Sequence, residues 1–136
     1  VLAGIYEREG GARLPMALEL YKKAAARGYS KAVNNLSLMY ASGRGTARDG
    51  KQAFALMRRC AEEGSAVCQH NLAEYYLQGT GTARDAVAAY GWAALASTGR
   101  PESARLMEQA GASLNADGVR RGRILSVQLI RKYHSR

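Results

Sequence analysis

The chain has 136 residues and a formal net charge of +9, a size at which one domain buries enough surface to be stable without metal ions. Alanine occurs 25 times, whereas valine, isoleucine and threonine together occur 13 times and phenylalanine once. Residues that pack β-sheets are therefore scarce, and an all-α fold is predicted. No apolar run reaches the roughly 18 residues of a membrane span, and the first residues lack the pattern of a signal peptide.

An internal repeat of 36 residues runs through the chain. Residues 36–49 (LSLMYASGRGTARD) align with residues 72–85 (LAEYYLQGTGTARD), with leucine, tyrosine, two glycines, Thr-Ala-Arg and aspartate at matching places. Such a period is typical of solenoids, in which each unit buries its apolar stripe against the next. The sequence predicts one repeat domain over residues 1–136, made of a partial repeat (1–29), two whole repeats (30–64 and 65–100) and two capping helices (101–136).

Each repeat is predicted to contain two antiparallel helices. Apolar spacing and helix-ending glycines place about eight helices, at residues 1–8, 15–27, 31–42, 50–63, 66–78, 86–98, 101–112 and 116–133. The helix N-termini are expected to be capped by the polar side chains of Ser30, Ser65, Asp49 and Asp85. The second helices are expected to be closed by Gly28, Gly64 and Gly99. Asp49 and Gln52 have the spacing of a capping box. The prediction is a solenoid of helix pairs.

The repeated residues resemble those of a known family. The first whole repeat reads Ala32-x-x-Asn35-Leu36-x-x-x-Tyr40-x-x-Gly43-x-Gly45, followed by Asp49, Ala53, Ala61 and Gly64. Over residues 1 to about 100 this pattern resembles the Sel-one-like repeat, a bacterial relative of the tetratricopeptide repeat, although Ser37 and Ala73 stand where that family usually has glycine. The resemblance implies a right-handed superhelix with a concave, protein-binding face, and no shared catalytic residues, cofactor or metal.

The two cysteines, Cys60 and Cys68, fall near the end of one predicted helix and the start of the next. Their spacing resembles the cysteine-rich branch of the family, in which a disulfide joins successive units of exported proteins. Two small buried residues in place of alanine, or half of a zinc site with His70, are the alternatives. A disulfide implies an oxidising compartment, so we expect a periplasmic or exported protein.

A partner-binding groove is expected on the first helices of the repeats. Leu36 and Tyr40 are assigned to the core, as are Leu72 and Tyr76, so residues on the opposite side of these helices face the concave surface. Those residues are Asn34, Leu38, Ala41, His70, Glu74, Leu77 and Gln78. They predict a groove that binds a folded protein or an extended peptide, and the family resemblance together with the disulfide implies a scaffold or adaptor in the bacterial envelope. An immunity protein that neutralises a secreted toxin is the alternative.

Catalysis is not expected from this sequence. His70 and Glu74 are four residues apart on one predicted helix, a spacing at which an imidazole and a carboxylate can exchange a proton. No nucleophile, third orienting residue or metal cluster accompanies them in the sequence. We therefore predict a non-enzymatic protein.

The C-terminal segment carries much of the positive charge. Residues 116–136 contain six basic residues and one acidic residue, or +5 of the net +9, and the basic patch consists of Arg120, Arg121, Arg123, Arg131 and Lys132. An anionic-surface or nucleic-acid binder is therefore the alternative from another class. Because Tyr133 is the only aromatic residue there, a solvated cap face is preferred, with an apolar side formed by Leu106, Leu114, Ile124, Leu125, Leu129 and Ile130.

Overall fold

A computed structural model of the chain describes residues 14–134, which form seven α-helices and one 3-10 helix, with no strand among them. The helices are α1 (Leu14–Ala26), α2 (Ser30–Ser42), α3 (Gly50–Glu62), α4 (Ala66–Gln78), α5 (Ala86–Ser97), the 3-10 helix Pro101–Ser103, α6 (Ala104–Ala112) and α7 (Ala116–His134). The all-α prediction is confirmed. The helix predicted at residues 1–8 lies outside the described residues.

The helices stack in chain order. Each of the first five packs on the next, and α2 also contacts α4, as α4 contacts α6. The first helices of neighbouring repeats therefore form a row, which is the arrangement of an α-solenoid. Alanines at the helix contacts have almost no exposed surface and let the helix axes approach closely, as at Ala17, Ala53, Ala61, Ala73, Ala89 and Ala93.

The two whole repeats fill the core slightly differently. Leu36 and Tyr40 are buried as predicted, and Leu72 is buried in the second repeat. Tyr76 is only partly buried and packs edge-on against Phe54, with ring centroids 5.4 Å apart. The adjacent Tyr75 goes deeper and is buried.

A buried hydrogen-bond network joins the two repeats at Ser37. Its hydroxyl donates to the carbonyl oxygen of Ala53 at 2.6 Å, so the Tyr75 hydroxyl is the donor in the 2.9 Å contact with Ser37 Oγ. Burial raises the pKa of Tyr75. The serine that replaces the usual glycine therefore gives a polar partner to a buried tyrosine of the next repeat.

Three of the predicted N-terminal caps are present. The side chains of Ser65, Asp49 and Asp85 each accept a hydrogen bond from the backbone N–H three residues further along. The cap predicted at Ser30 is wrong, because Tyr29 occupies the cap position and makes no side-chain cap bond. Tyr29 lies 36 residues before Ser65, so the repeat spacing itself identifies the equivalent residue.

Two other helix-end predictions are also corrected. Gln52 does not complete a capping box, because the Asp49 N–H donates to the Tyr40 carbonyl at 2.8 Å. Gly28 and Gly64 have φ values of 85° and 102°, in the left-handed region, as predicted for helix-closing glycines. Gly99 follows the end of α5 at the same distance as Gly28 and Gly64 follow α1 and α3, but it does not have a positive φ.

One glycine in each inter-helix loop touches the preceding repeat. Gly45 has a φ of 76°, and a Cβ there would lie 2.7 Å from the carbonyl oxygen of Leu14. At the equivalent Gly81, with a φ of 71°, a Cβ would overlap the Gly50 carbonyl and lie 2.8 Å from Phe54 Cβ. The same backbone contact therefore recurs at a spacing of 36 residues.

The C-terminal helix α7 packs mainly on α5. The two helices fit through glycines: a Cβ at Gly91 would lie 2.6 Å from Leu125, and one at Gly122 would lie 2.9 Å from the Tyr90 ring. The predicted apolar side of the cap is wrong at Ile124, which is 50% exposed. The reason is that glycines and a serine, which do not register as apolar, form the packing face of α7.

Candidate functional site

A cleft of about 770 Å³ lies between α4 and the segment made of the 3-10 helix and α6. We call it the α4–α6 cleft. Four of the seven residues predicted for the groove line it, and the capping segment that follows the second whole repeat supplies the opposite wall. The lining residues are His70, Glu74, Leu77, Gln78, Pro101, Glu102, Arg105, Leu106, Glu108 and Gln109.

His70 holds the two walls of the cleft together. Its Nδ1 lies 2.7 Å from Ser103 Oγ, and its Nε2 lies 3.1 Å from Glu74 Oε1. Glu74 accepts the Nε2–H, so in a neutral ring Nδ1 accepts the Ser103 hydroxyl proton. Serine, histidine and glutamate are also the residue types of a hydrolase triad, but Ser103 is fully buried, and its oxygen is closed to a substrate. The arrangement positions α4 against the 3-10 helix that precedes α6.

The cleft combines carboxylates with aliphatic side chains. Leu77 and Leu106 contribute apolar side chains, and the charged lining residues are Glu74, Glu102, Glu108 and Arg105. The Oε1 atom of Glu102 lies 3.6 Å from Nε of Arg100. Within residues 14–134, Arg105 and Glu108 form no ion pair, so both remain free to pair with an incoming group.

The other predicted groove residues lie on α2 and do not line this cleft. Leu38 is 41% exposed, and Ala41 is partly buried. Asn34 is only 9% exposed, and its Oδ1 accepts a hydrogen bond from Asn71 Nδ2 at 2.7 Å. Asn34 therefore joins α2 to α4, and Leu38 is the most exposed of the three predicted groove residues on α2.

Cys60 and Cys68 form a disulfide with a Cα–Cα distance of 5.7 Å, a usual separation for this bond. The predicted disulfide is confirmed, and it joins the end of α3 to the start of α4. Both cysteines are buried, and among residues 14–134 no group of three or more histidine, cysteine, aspartate or glutamate side chains is placed to hold a metal ion.

A second groove, of about 710 Å³, runs along the exposed side of α7. We call it the α7 groove; its lining residues are Ala116, Val119, Arg120, Arg123, Ile124, Val127, Gln128 and Arg131. Arg121 points away from it, as the helical phase predicts, and pairs with Asp117, as does Arg120. Lys132 lies over the Tyr133 ring, 5.5 Å from its centroid. The basic patch is thus divided, with three of its five residues in the groove.

Sequence reasoning missed Ser103 and Asn71 because their partners are 33 and 37 residues away on other helices. The helical phase of α4 did place His70, Glu74, Leu77 and Gln78 on one surface. None of the helices in residues 14–134 is both long and apolar enough to cross a bilayer.

Comparison with known proteins supports this architecture. The Sel1 repeat model matches residues 10–29, 30–65 and 66–99. The structure is similar to that of c5321, a protective antigen present in uropathogenic Escherichia coli strains displaying an SLR fold, with a TM-score of 0.89 and 35% identity over 97% of this chain and 29% of that one. A Sel1 repeat protein from Oxalobacter formigenes has a TM-score of 0.66 and 27% identity over 75% of this chain and 43% of that one.

The chain thus spans less than one third of the first protein and less than half of the second. No curated protein matches it.

Proposed function

We propose a function from the premise that the chain belongs to the Sel1 repeat family: it is a scaffold whose protein partner binds in the α4–α6 cleft. Members of this family are generally protein-interaction scaffolds and typically not enzymes. The observation that carries the proposal is the cleft itself, which is lined by residues from two successive units of the solenoid. A folded protein or an extended peptide would bind there without catalysis.

The composition of the cleft supports a protein partner. Interaction sites combine buried aliphatic or aromatic anchors with polar groups that set orientation. Leu77 is the apolar contact here, since Leu106 is only 9% exposed, and Arg105 and Glu108 are charged groups without an ion-pair partner in the described part of the chain. A peptide with an apolar side chain flanked by charges of both signs would contact Leu77 and form ion pairs with Arg105 and Glu108.

The partner surface extends from the cleft onto α2. Leu38 and Glu74 are 36 residues apart, so they occupy the same position in successive repeats and lie on the same side of the row of first helices. Exposed Leu38 adds an apolar contact beyond the cleft, and Ala41 leaves room beside it. Asn34 contributes indirectly, through its bond to Asn71.

We place the function in an oxidising compartment. A disulfide such as Cys60–Cys68 persists in the bacterial periplasm or outside the cell, whereas cytosolic thiols are kept reduced. The proposal is therefore an adaptor of the bacterial envelope or an exported one.

Site-specific photo-crosslinking in the native cells tests the proposal. A photoreactive amino acid at Gln78 or Gln109, both exposed and in the cleft, should form an adduct with the same protein. Lys51 on α3 is the control position and should give none. Adducts from Lys51 alone, or from Gln128 in the α7 groove alone, would contradict binding in the cleft.

A paired substitution measures the energy of that contact. Leu38→Asp with Glu74→Arg changes two side chains outside the tight core, so helicity should change little; loss of the Glu74–His70 hydrogen bond should lower the free energy of unfolding by about 1 kcal/mol. Binding of the captured partner should weaken by about 2 kcal/mol, or roughly 30-fold, as at interaction hot spots. The control variant Arg120→Glu, Arg121→Glu and Arg123→Glu should bind the partner normally. If this control fails to bind while Leu38→Asp with Glu74→Arg still binds, the partner site is α7 instead.

A further inference from the structure

The outer side of α7 carries an apolar surface that no described part of the chain covers. Ile124 and Val127 are 50% and 48% exposed, although the opposite side of the same helix is buried against α5. The two residues are three positions apart, so their side chains are neighbours on the helix surface. With the partly buried Val119 they form the floor of the α7 groove.

Arginines are interleaved with this apolar surface. Arg120, Arg123, Val127 and Arg131 follow one another at intervals of three and four residues, which places them in a single stripe. Arg120 pairs with Asp117, whereas Arg123 and Arg131 form no ion pair within residues 14–134. The stripe therefore presents two aliphatic side chains, Ile124 and Val127, together with the two unpaired guanidinium groups of Arg123 and Arg131.

We infer that the α7 groove docks an acidic amphipathic helix of another protein, with aliphatic side chains on Ile124 and Val127 and carboxylates on Arg123 and Arg131. The charge of the stripe decides the chemistry of the partner. Guanidinium groups bind carboxylates in a two-pronged geometry, and complementary charge sets the register of the two surfaces. This partner is distinct from the one that the α4–α6 cleft binds.

Other occupants fit the stripe less well. A membrane-surface helix needs a continuous apolar face, and inserting this stripe would bury the arginines with it. Nucleic acid would bring phosphates against Ile124 and Val127, with no aromatic side chain in the groove for base stacking. A second copy of α7, packed face to face, would bring arginines against arginines, and its one aspartate, Asp117, is already paired with Arg120 and Arg121.

The inference is tested with a designed peptide. The probe is an alanine- and glutamine-based helix of about 20 residues, with glutamates and leucines alternating along one stripe. The control peptide has lysine in place of each glutamate. Fluorescence anisotropy measures binding of each labelled peptide to the whole chain. The glutamate peptide should bind at least about tenfold more tightly than the lysine peptide.

Three variants identify the face that is used. Ile124→Ser with Val127→Ser, and Arg123→Ala with Arg131→Ala, should each weaken the glutamate peptide at least about tenfold. Arg27→Ala with Arg48→Ala removes the same charge from exposed positions elsewhere and should change binding less than about twofold. Circular dichroism and thermal melts establish that each variant is folded. The cleft variant Leu38→Asp with Glu74→Arg should bind the peptide normally, which separates this inference from the proposed function.

Several outcomes would overturn the inference. These are no binding of the glutamate peptide, equal losses in the control and groove variants, and full binding by the Ile124→Ser and Val127→Ser variant. Phosphatidylglycerol vesicles or duplex DNA that bind more tightly than the peptide through the same arginines would identify a lipid or nucleic-acid surface. A dimer that the serine variant dissociates in sedimentation would identify a second copy.

Discussion

The contact between Gly81 and the preceding repeat predicts a large effect from one added methyl group. In Gly81→Ala the new Cβ overlaps the Gly50 carbonyl and lies 2.8 Å from Phe54 Cβ. Neither neighbour is the end of a flexible side chain, so the repeats themselves must move apart. Gly28 is the matched control, because it also has a positive φ, of 85°, but nothing lies within 4 Å of its Cβ position.

The difference between the two variants isolates the contact. Alanine in the left-handed region costs about 1 to 2 kcal/mol, and the stiffer unfolded chain returns about 0.4 to 1 kcal/mol. Both effects act in Gly28→Ala and in Gly81→Ala. Their difference is the whole effect in Gly28→Ala, which should lower the free energy of unfolding by about 1 kcal/mol. The overpacking in Gly81→Ala adds about 1 to 3 kcal/mol, for a total of about 3 kcal/mol.

Urea denaturation measures both values, with helicity followed by circular dichroism and tertiary structure by the fluorescence of Trp92, the only tryptophan. Gly45→Ala should fall between the two, because its Cβ would lie 2.7 Å from the Leu14 carbonyl oxygen. Equal losses for Gly28→Ala and Gly81→Ala would refute the idea that this backbone contact spaces the repeats.

Three other predictions concern the buried core. Ser37→Ala removes the partner of the Tyr75 hydroxyl and should lower the free energy of unfolding by about 2 kcal/mol. Combining it with Tyr75→Phe should cost less than the sum of the two single changes. Additive losses in urea denaturation would argue against the hydrogen bond. Because burial raises the pKa of Tyr75 above 10.0, the folded protein keeps a proton that the unfolded chain loses, and stability should fall as the pH rises above about 10. Tyr75→Phe should make that fall shallower in melts from about pH 9 to 11, and an unchanged slope would contradict the assignment. Replacing Cys60 and Cys68 by alanine should cost about 2.5 kcal/mol for a loop with a sequence separation of 8 without loss of the fold, and thiols that alkylate freely in the native protein would show that no disulfide forms.

The repeat made most of the fold predictable. Residues that recur at a spacing of 36, such as Leu36 and Leu72, mark the same place in successive units, so helix number and order follow from them. The repeat predicts the caps at Asp49, Ser65 and Asp85, but not the one at the start of α7, where the Asn115 side chain accepts the Gly118 N–H at 2.8 Å. Ser30 has the residue type of a cap, but the repeat position of a cap belongs to Tyr29, 36 residues before Ser65.

The sites were predictable only where helical phase alone determines them. His70 and Glu74 share one side of α4, so their place in the cleft follows from the helix. Ser103 could not be predicted, since its contact with His70 depends on how α6 packs. Ile124 was misplaced for a related reason: Gly118 and Gly122 form the packing side of α7, and glycines give no hydrophobic signal.

The position of α5 has a consequence for how the molecule unfolds. It packs against α4, α6 and α7, whereas α1, the first helix of the described residues, packs mainly on α2. In a solenoid the stability of each unit depends on its neighbours, so the chain has a gradient of local stability. Amide hydrogen exchange should be slowest in α5 and fastest in α1, and opening of the first repeat should leave the cleft-bearing units folded.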